Sequence, residues 1–114
     1  MKITKQLQAP ITILHLKGRL DALSAKTLEQ TLSPLLATGT PVLLLSLTEL
    51  DFVSSSGLRI LLTTAKRINL QRGKLALSGL NANVYSVFEI AGFLQLFSTF
   101  DTVEQAVESL NSTS

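Results

Sequence analysis

Two structural patterns meet in the stretch Leu50-Asp51-Phe52-Val53-Ser54-Ser55-Ser56-Gly57-Leu58. Upstream of it, Val42-Leu43-Leu44-Leu45 is a short continuous apolar run, which is typical of a central strand covered on both faces. Downstream, apolar residues recur at the spacing of one helical face: Leu58, Leu61, Leu62, Ala65 and Ile68. The stretch therefore predicts a helix that begins at the end of a buried strand, a place where sites tend to form.

Strand-like and helix-like patterns continue to alternate on both sides of this stretch. Residues 2–8 and 11–17 are predicted to form two strands around Ala9-Pro10, followed by a helix. The whole order, β-β-α-β-α-β-α-(β)-α, predicts an α/β fold with a four- to five-stranded, mostly parallel sheet, an N-terminal hairpin and about four helices. One domain is expected over residues 1–110, with residues 111–114 as a disordered tail.

Local signals suggest where the first elements begin and end. Asp21 or Ser24 is expected to cap the first helix. Pro34 is expected to kink that helix or end it early, since proline lacks the backbone donor. A turn is expected at Glu49-Leu50-Asp51, and Gly73 is expected at the C-terminal cap of the next long helix.

The last elements are marked by weaker signals. Leu96-Phe97 is a candidate edge strand, and Asp101 is expected to cap the final helix, with Glu104 completing a capping box. The residues predicted to face inward on that helix are Val103, Ala106, Val107 and Leu110. These signals place a short strand and an amphipathic helix at the end of the chain.

Composition narrows the classes of function. Ten basic and eight acidic residues give a net charge of +2, and the basic residues form short pairs without interleaved aromatics. Nucleic-acid binding is not expected, because it usually needs a concentrated basic stripe. No apolar stretch approaches the roughly 20 residues that span a bilayer, so membrane insertion is not expected either. The chain has no cysteine and no signal-like N-terminus, which favours a cytoplasmic protein.

Nothing in the chain has the pattern of an enzyme. The serine run lacks the Gly-x-Ser-x-Gly elbow, and the single histidine, His15, lies inside a predicted strand. The acidic residues show no metal-ligand spacing, and no phosphate-binding glycine loop is present. We therefore expect no catalytic residue, no metal and no cofactor.

The serines at the strand-helix junction have one ordinary structural use. One of them can cap the helix by accepting a backbone N–H bond, worth about 1 kcal/mol. Three serines are more than one cap needs, so a second role at Ser54-Ser55-Ser56 is compatible with capping.

The same residues resemble the signature of STAS domains. In that family an acidic residue, then Ser, then Ser or Thr, then Gly-Leu opens the second helix, and the stretch from Leu50 to Leu58 is similar to it. Gly18-Arg19-Leu20-Asp21 resembles the family's Gly-x-Leu-Asp, and two later segments, 84–100 and 104–106, also agree in order. The family's acidic residue two positions before the acceptor is Ser54 in this chain.

The resemblance implies a partner-switching protein of the anti-sigma factor antagonist type. In such members the Ser or Thr before the Gly accepts phosphate, which is Ser56 here, with Ser55 as the second choice. The unphosphorylated form binds an anti-sigma factor that is also a GHKL-type serine kinase, and a PP2C-type phosphatase reverses the modification. The residues expected to contact the partner are Ser54, Ser55, Gly57, Leu58, Arg59 and Asp21.

One alternative stays open at this point. The chain could instead be a constitutive STAS interaction subunit of a transporter or signalling assembly that is not phosphorylated. Ser54 in place of the acidic residue favours that alternative to some degree. The sequence leaves the oligomeric state undecided.

Overall fold

The predicted alternation of strands and helices is present in a computed structural model that describes residues 1–37 and 39–112. In chain order the elements are β1 (Lys2–Gln8), β2 (Ile11–Leu20), α1 (Ala22–Leu36), β3 (Val42–Val53), α2 (Ser55–Leu70), β4 (Lys74–Ser78), α3 (Ala82–Ile90), a 3-10 helix (Leu94–Leu96), β5 (Ser98–Phe100) and α4 (Val103–Ser112). The α/β class and the opening hairpin are thus confirmed.

The strands form one sheet in the order β1-β2-β3-β4-β5. β1 and β2 pair antiparallel, whereas β2, β3, β4 and β5 pair parallel to one another. β3 is central, and its residues Leu43, Leu44 and Leu45 are almost completely buried. A continuous apolar run is what a strand covered on both faces requires, because neither set of alternating side chains meets water.

The two faces of the sheet carry cores of different size. Leu14 and Leu16 of β2 belong to the larger core, which α1, α2 and α3 cover. Ile11 and Ile13 of β2 belong to the smaller core, which α4 covers with Ala106 and other apolar residues. Side chains of β2 thus alternate between the two cores, and the predicted inward face of α4 is confirmed.

β3 is much longer than its apolar run indicated. The predicted turn at 49–51 is wrong: the strand continues to Val53, and Leu50 and Val53 are buried. β2 runs beside it to Leu20, and at each of two register shifts β3 contributes one extra residue while the strands stay paired. The last pair between β3 and β4 is Ser46 with Ser78, so residues 47–53 extend beyond β4.

The ends of α1 and α2 differ from their predictions in detail. α1 continues through Pro34 and ends two residues later, because proline removes only one of the hydrogen bonds of the last turn. At the end of α2, Arg72 holds the left-handed conformation expected of Gly73, with φ of 58°. The bonds Arg72 N–H to Asn69 O and Gly73 N–H to Ile68 O form a Schellman motif, which places Gly73 one residue later in the motif.

The last two elements are also shifted from their predicted positions. β5 spans residues 98–100 and not 96–97, because the chain first makes a 3-10 turn. Asp101 does not cap α4: Thr102 Oγ1 accepts the N–H of Gln105 at 3.1 Å. α4 also continues to Ser112, two residues past the predicted domain boundary. Residues 113–114 lie outside the described part, so the disordered tail stays a prediction.

None of the helices in residues 1–37 and 39–112 is long and apolar enough to cross a membrane.

Gly57, the third residue of α2, brings that helix into close contact with β2. A Cβ at this position would lie 2.7 Å from Leu20 Cγ and 2.9 Å from Leu20 O. Both contacts are shorter than carbon–carbon and carbon–oxygen packing allows, and Leu20 is fully buried and cannot move aside. The absence of a side chain at Gly57 therefore determines how near α2 begins to the sheet.

We predict that Gly57→Ala lowers the free energy of unfolding by about 1–3 kcal/mol, as overpacked core substitutions do. The loss is expected although alanine has the higher helix propensity. Urea unfolding followed by circular dichroism measures it, and Ser56→Ala, one residue away and not buried, is the matched control. Equal stability of the two variants would contradict this account of Gly57.

Candidate functional site

Three helices begin where parallel strands end, and each is capped by a polar side chain. Asp21 caps α1 after β2, Ser54 caps α2 after β3, and Asn81 caps α3 after β4. Asn81 also donates from Nδ2 to Leu50 O at 2.9 Å, which joins the start of α3 to β3. The carboxyl ends of the strands thus carry a row of helix N-termini, which we call the serine edge after residues 54–56.

At the start of α2 the three serines have different environments. Ser54 is extended, and its Oγ accepts the N–H of Gly57 at 3.1 Å. Ser55 and Ser56 are the first and second helical residues; Ser55 is exposed and Ser56 is half-buried. Within the described part of the chain neither of these two hydroxyl groups makes a side-chain hydrogen bond. Ser54 is therefore the cap, and the other two hydroxyls are available.

The other predicted site residues of α2 fall into two groups. Gly57 and Leu58 are buried, with Leu58 only 8% exposed in the larger core, so they position the turn and leave little surface for a partner. Arg59 is exposed, three residues after Ser56. Of these three residues, only Arg59 presents a side chain to solvent at the serine edge.

Asp21 lies next to the serines because the starts of α1 and α2 are joined. The N–H of Ser54 donates to Leu20 O at 2.8 Å, one residue before Asp21. Asp21 and Ser24 form a capping box: Ser24 N–H donates to Asp21 Oδ1 at 3.0 Å, and Asp21 N–H donates to Ser24 Oγ at 2.9 Å. The bonds from the backbone and side chain of Ser24 hold the pKa of the Asp21 carboxyl below its usual value.

Sequence reasoning missed an aromatic contact at the same edge. Arg19 and Phe52 are paired in the register of β2 and β3, and the Arg19 guanidinium lies 4.2 Å from the centroid of the Phe52 ring. Phe52 remains 38% exposed. The sequence did not predict this pair, because the pair depends on the register shifts between β2 and β3. No short sequence signal for such shifts is known.

The remaining polar features lie elsewhere. His15 donates from its Nε2 to Gln6 Oε1 at 2.9 Å across the hairpin, as an ordinary strand residue does. A cavity of about 560 Å³ lies at the opposite end of α2, lined by Lys66, Lys74 and Phe97 among others. In the described residues, no group of three or more His, Asp or Glu side chains could hold a metal ion. The serine edge is therefore the candidate functional site.

We predict that Asp21→Asn removes part of the acid sensitivity of the fold. Because the pKa of Asp21 is lowered by folding, its ionised form stabilises the protein above its unfolded pKa, and this contribution is lost as the pH falls through the folded value. Asparagine keeps the cap but cannot titrate. The difference in urea midpoint between the wild type and Asp21→Asn should therefore shrink from about pH 6 to pH 2.5. A difference that stays constant over this range would contradict the assignment.

Comparison with known proteins agrees with this geometry. Residues 2–106 match the model of the STAS domain family. BtrV of Bordetella bronchiseptica, described as an anti-sigma factor antagonist, is 34% identical over 112 residues, which cover 98% of this chain and 97% of BtrV. The relationship therefore extends along the whole domain.

Solved structures share the fold at lower identity. The crystal structure of an anti-sigma factor antagonist from Thermotoga maritima has a TM-score of 0.89 at 20% identity, covering 96% of this chain and 94% of that one. The Bacillus anti-sigma factor antagonist SpoIIAA scores 0.79 at 17% identity in its unphosphorylated form, over 98% and 100% of the chains, and 0.76 at 18% identity, over 95% and 98%, in its phosphorylated form. The murine anion transporter Slc26a9 scores 0.82 at 18% identity over 95% of this chain, which is 19% of the transporter.

The family match covers nearly the whole chain, and the curated relative is similar from end to end. The strand order, the opening hairpin and the four helices agree with the solved antagonists. The chain belongs to the STAS domain family, whose anti-sigma factor antagonists are binding proteins and not enzymes.

Proposed function

We propose that this protein is a partner-switching anti-sigma factor antagonist. Its unphosphorylated form binds an anti-sigma factor that is also a GHKL-type serine kinase, and phosphorylation of Ser56 ends that binding. A PP2C-type phosphatase restores the binding form. The similarity to BtrV, described as an anti-sigma factor antagonist, supports the proposal.

The observation that carries the proposal is the division of roles among the serines. Ser54 alone caps α2, so the hydroxyl of Ser56 is not needed for the fold. Ser56 is half-buried at the start of the helix, and its hydroxyl makes no side-chain bond within the described residues. A phosphate can therefore be added to Ser56 without breaking a hydrogen bond of the domain.

The charge of a phosphate has opposite consequences for the domain and for its partner. A phosphoserine carries about −1.5 to −2 charges at neutral pH. At the second residue of α2 the unpaired backbone N–H groups and the helix dipole favour that charge, and Arg59 lies within one turn. In a complex the same charge loses its water or is repelled by like charges of the partner, and both effects weaken binding. Phosphorylation thus weakens the complex while the domain keeps its fold.

The rigid support of α2 agrees with such a switch. Gly57 packs directly on Leu20, and Ser54 is hydrogen-bonded to the same residue, so the start of α2 has no room to shift. SpoIIAA, in its unphosphorylated and phosphorylated forms, resembles this chain with TM-scores of 0.79 and 0.76. The proposed mechanism requires only a change of surface charge on this frame.

We predict that Ser56→Ala binds the GHKL-type kinase of the same organism with wild-type affinity, whereas Ser56→Asp loses at least about tenfold. Isothermal titration calorimetry measures both. Ser86→Asp, which adds the same charge to an exposed residue of α3, is the control and should bind normally. Equal affinities for Ser56→Ala and Ser56→Asp would reject the switch.

We further predict that protein purified from its own cells with phosphatase inhibitors carries a fraction of molecules about 80 Da heavier, the mass that one phosphorylation adds. Peptide mapping of residues 50–59 should place the group on Ser56 and not on Ser55. Absence of phosphate under growth and stress conditions would favour the alternative, a constitutive STAS interaction subunit. The fold of this chain also occurs within the transporter Slc26a9, which is the observation in favour of that alternative.

A further inference from the structure

Leu23 is an exposed apolar residue that the fold does not use. Among the described residues, three large apolar side chains are at least 80% exposed: Leu23 at 80%, Leu70 at 84% and Ile90 at 86%. Leu70 and Ile90 are the last residues of α2 and α3, at the far ends of these helices. Leu23 alone of the three lies in the first turn of a helix, at the serine edge.

Leu23 occupies the same position in α1 that Ser56 occupies in α2. Each is the second helical residue, after the caps Asp21 and Ser54. The two helices start side by side, because Leu20 and Val53 are register partners and Ser54 N–H donates to Leu20 O. Packed helices have axes about 8–10 Å apart. Leu23 and Ser56 therefore lie at the same level, about one helix spacing apart.

We infer that Leu23 is an apolar anchor for the partner proposed above, which presents an apolar pocket beside the surface that faces Ser56. The inference rests on the proposed function and adds a contact that phosphate does not touch. A stable interface covers about 800 Å² on each partner, roughly a disc 30 Å across. A disc of that size centred on Ser56 includes the neighbouring helix start and hence Leu23.

Packing within the domain gives no reason for a leucine at this position. The buried stripe of α1 consists of Ser24, Ala25, Leu28, Leu32 and Leu36, and Leu23 is not part of it. Phe52, another apolar side chain at the edge, is in contact with the Arg19 guanidinium and is 38% exposed. Of these two side chains Leu23 has the larger exposed fraction, and burial of its apolar area by a partner would contribute binding free energy.

The anchor and the switch would have separate effects. Leu23 contributes affinity by burial of apolar area, which does not depend on the charge of Ser56. The charge on Ser56 determines whether the partner can bind the surface around that residue. The partner is therefore a protein with an apolar pocket for Leu23. Beside that pocket it has a surface that cannot bind next to a phosphorylated Ser56. A ligand that binds charge alone would not need the pocket.

The test is the affinity of Leu23→Asn for the purified GHKL-type kinase, measured by calorimetry. We expect a loss of at least about tenfold. Leu70→Asn and Ile90→Asn, equally exposed at the far ends of their helices, are matched controls and should bind as the wild type. All three variants should unfold at the wild-type urea midpoint, because exposed substitutions rarely alter stability.

The outcomes separate the anchor from the proposed function. If the wild type binds, Ser56→Asp does not, and Leu23→Asn binds as tightly as the wild type, the anchor is wrong and the switch stands. Equal losses for Leu23→Asn and Leu70→Asn also overturn the anchor, since the effect is then not local. If the wild type does not bind the kinase, the proposed function fails, and the anchor fails with it.

Discussion

Leu20 connects nearly every part of the serine edge. Its carbonyl accepts the N–H of Ser54, and its side chain meets Gly57 so closely that no Cβ fits between them. It is the last residue of β2, paired with Val53, and it is fully buried. One residue therefore sets the distance between the two helix starts. If Leu20 moved, the cap of α2 and the cap of α1 would move with it.

Under this constraint the proposed switch needs no change of shape. Core residues are close-packed and have few alternative arrangements, so a helix anchored on Leu20 responds little to one added charge. The proposed effect of the charge is instead on the surface. There the helix N–H groups donate hydrogen bonds to an anion, whereas the proposed partner would be repelled by it. Ser54 caps α2 with a neutral oxygen. The STAS signature has an acidic residue at the position of Ser54. With serine there, the serine edge has one negative charge fewer beside Ser56.

The order of elements and the identity of the serine edge were predictable because both depend on local patterns. The run Val42–Leu45 indicated a strand covered on both faces, and Asp21 and Ser54 are residues that favour the N-cap. The length of β3 was not predictable from its own residues, since residues 47–53 become a strand only through pairing with β2 across two register shifts. The exposure of Leu23 was not predictable either, because it depends on which side of α1 packs against the sheet.

The extension of β3 past β4 also affects the access of other proteins to Ser56. Residues 47–53 continue beyond the last pair with β4, and β2 accompanies them. The serines therefore follow the end of β3 beyond its last pair with β4, where Ser55 is exposed and Ser56 is half-buried. An enzyme that modifies a serine must reach its hydroxyl, and the Ser56 hydroxyl makes no side-chain hydrogen bond within the described residues that would have to break first. The proposed switch therefore needs only one folded surface, both for phosphorylation and for binding.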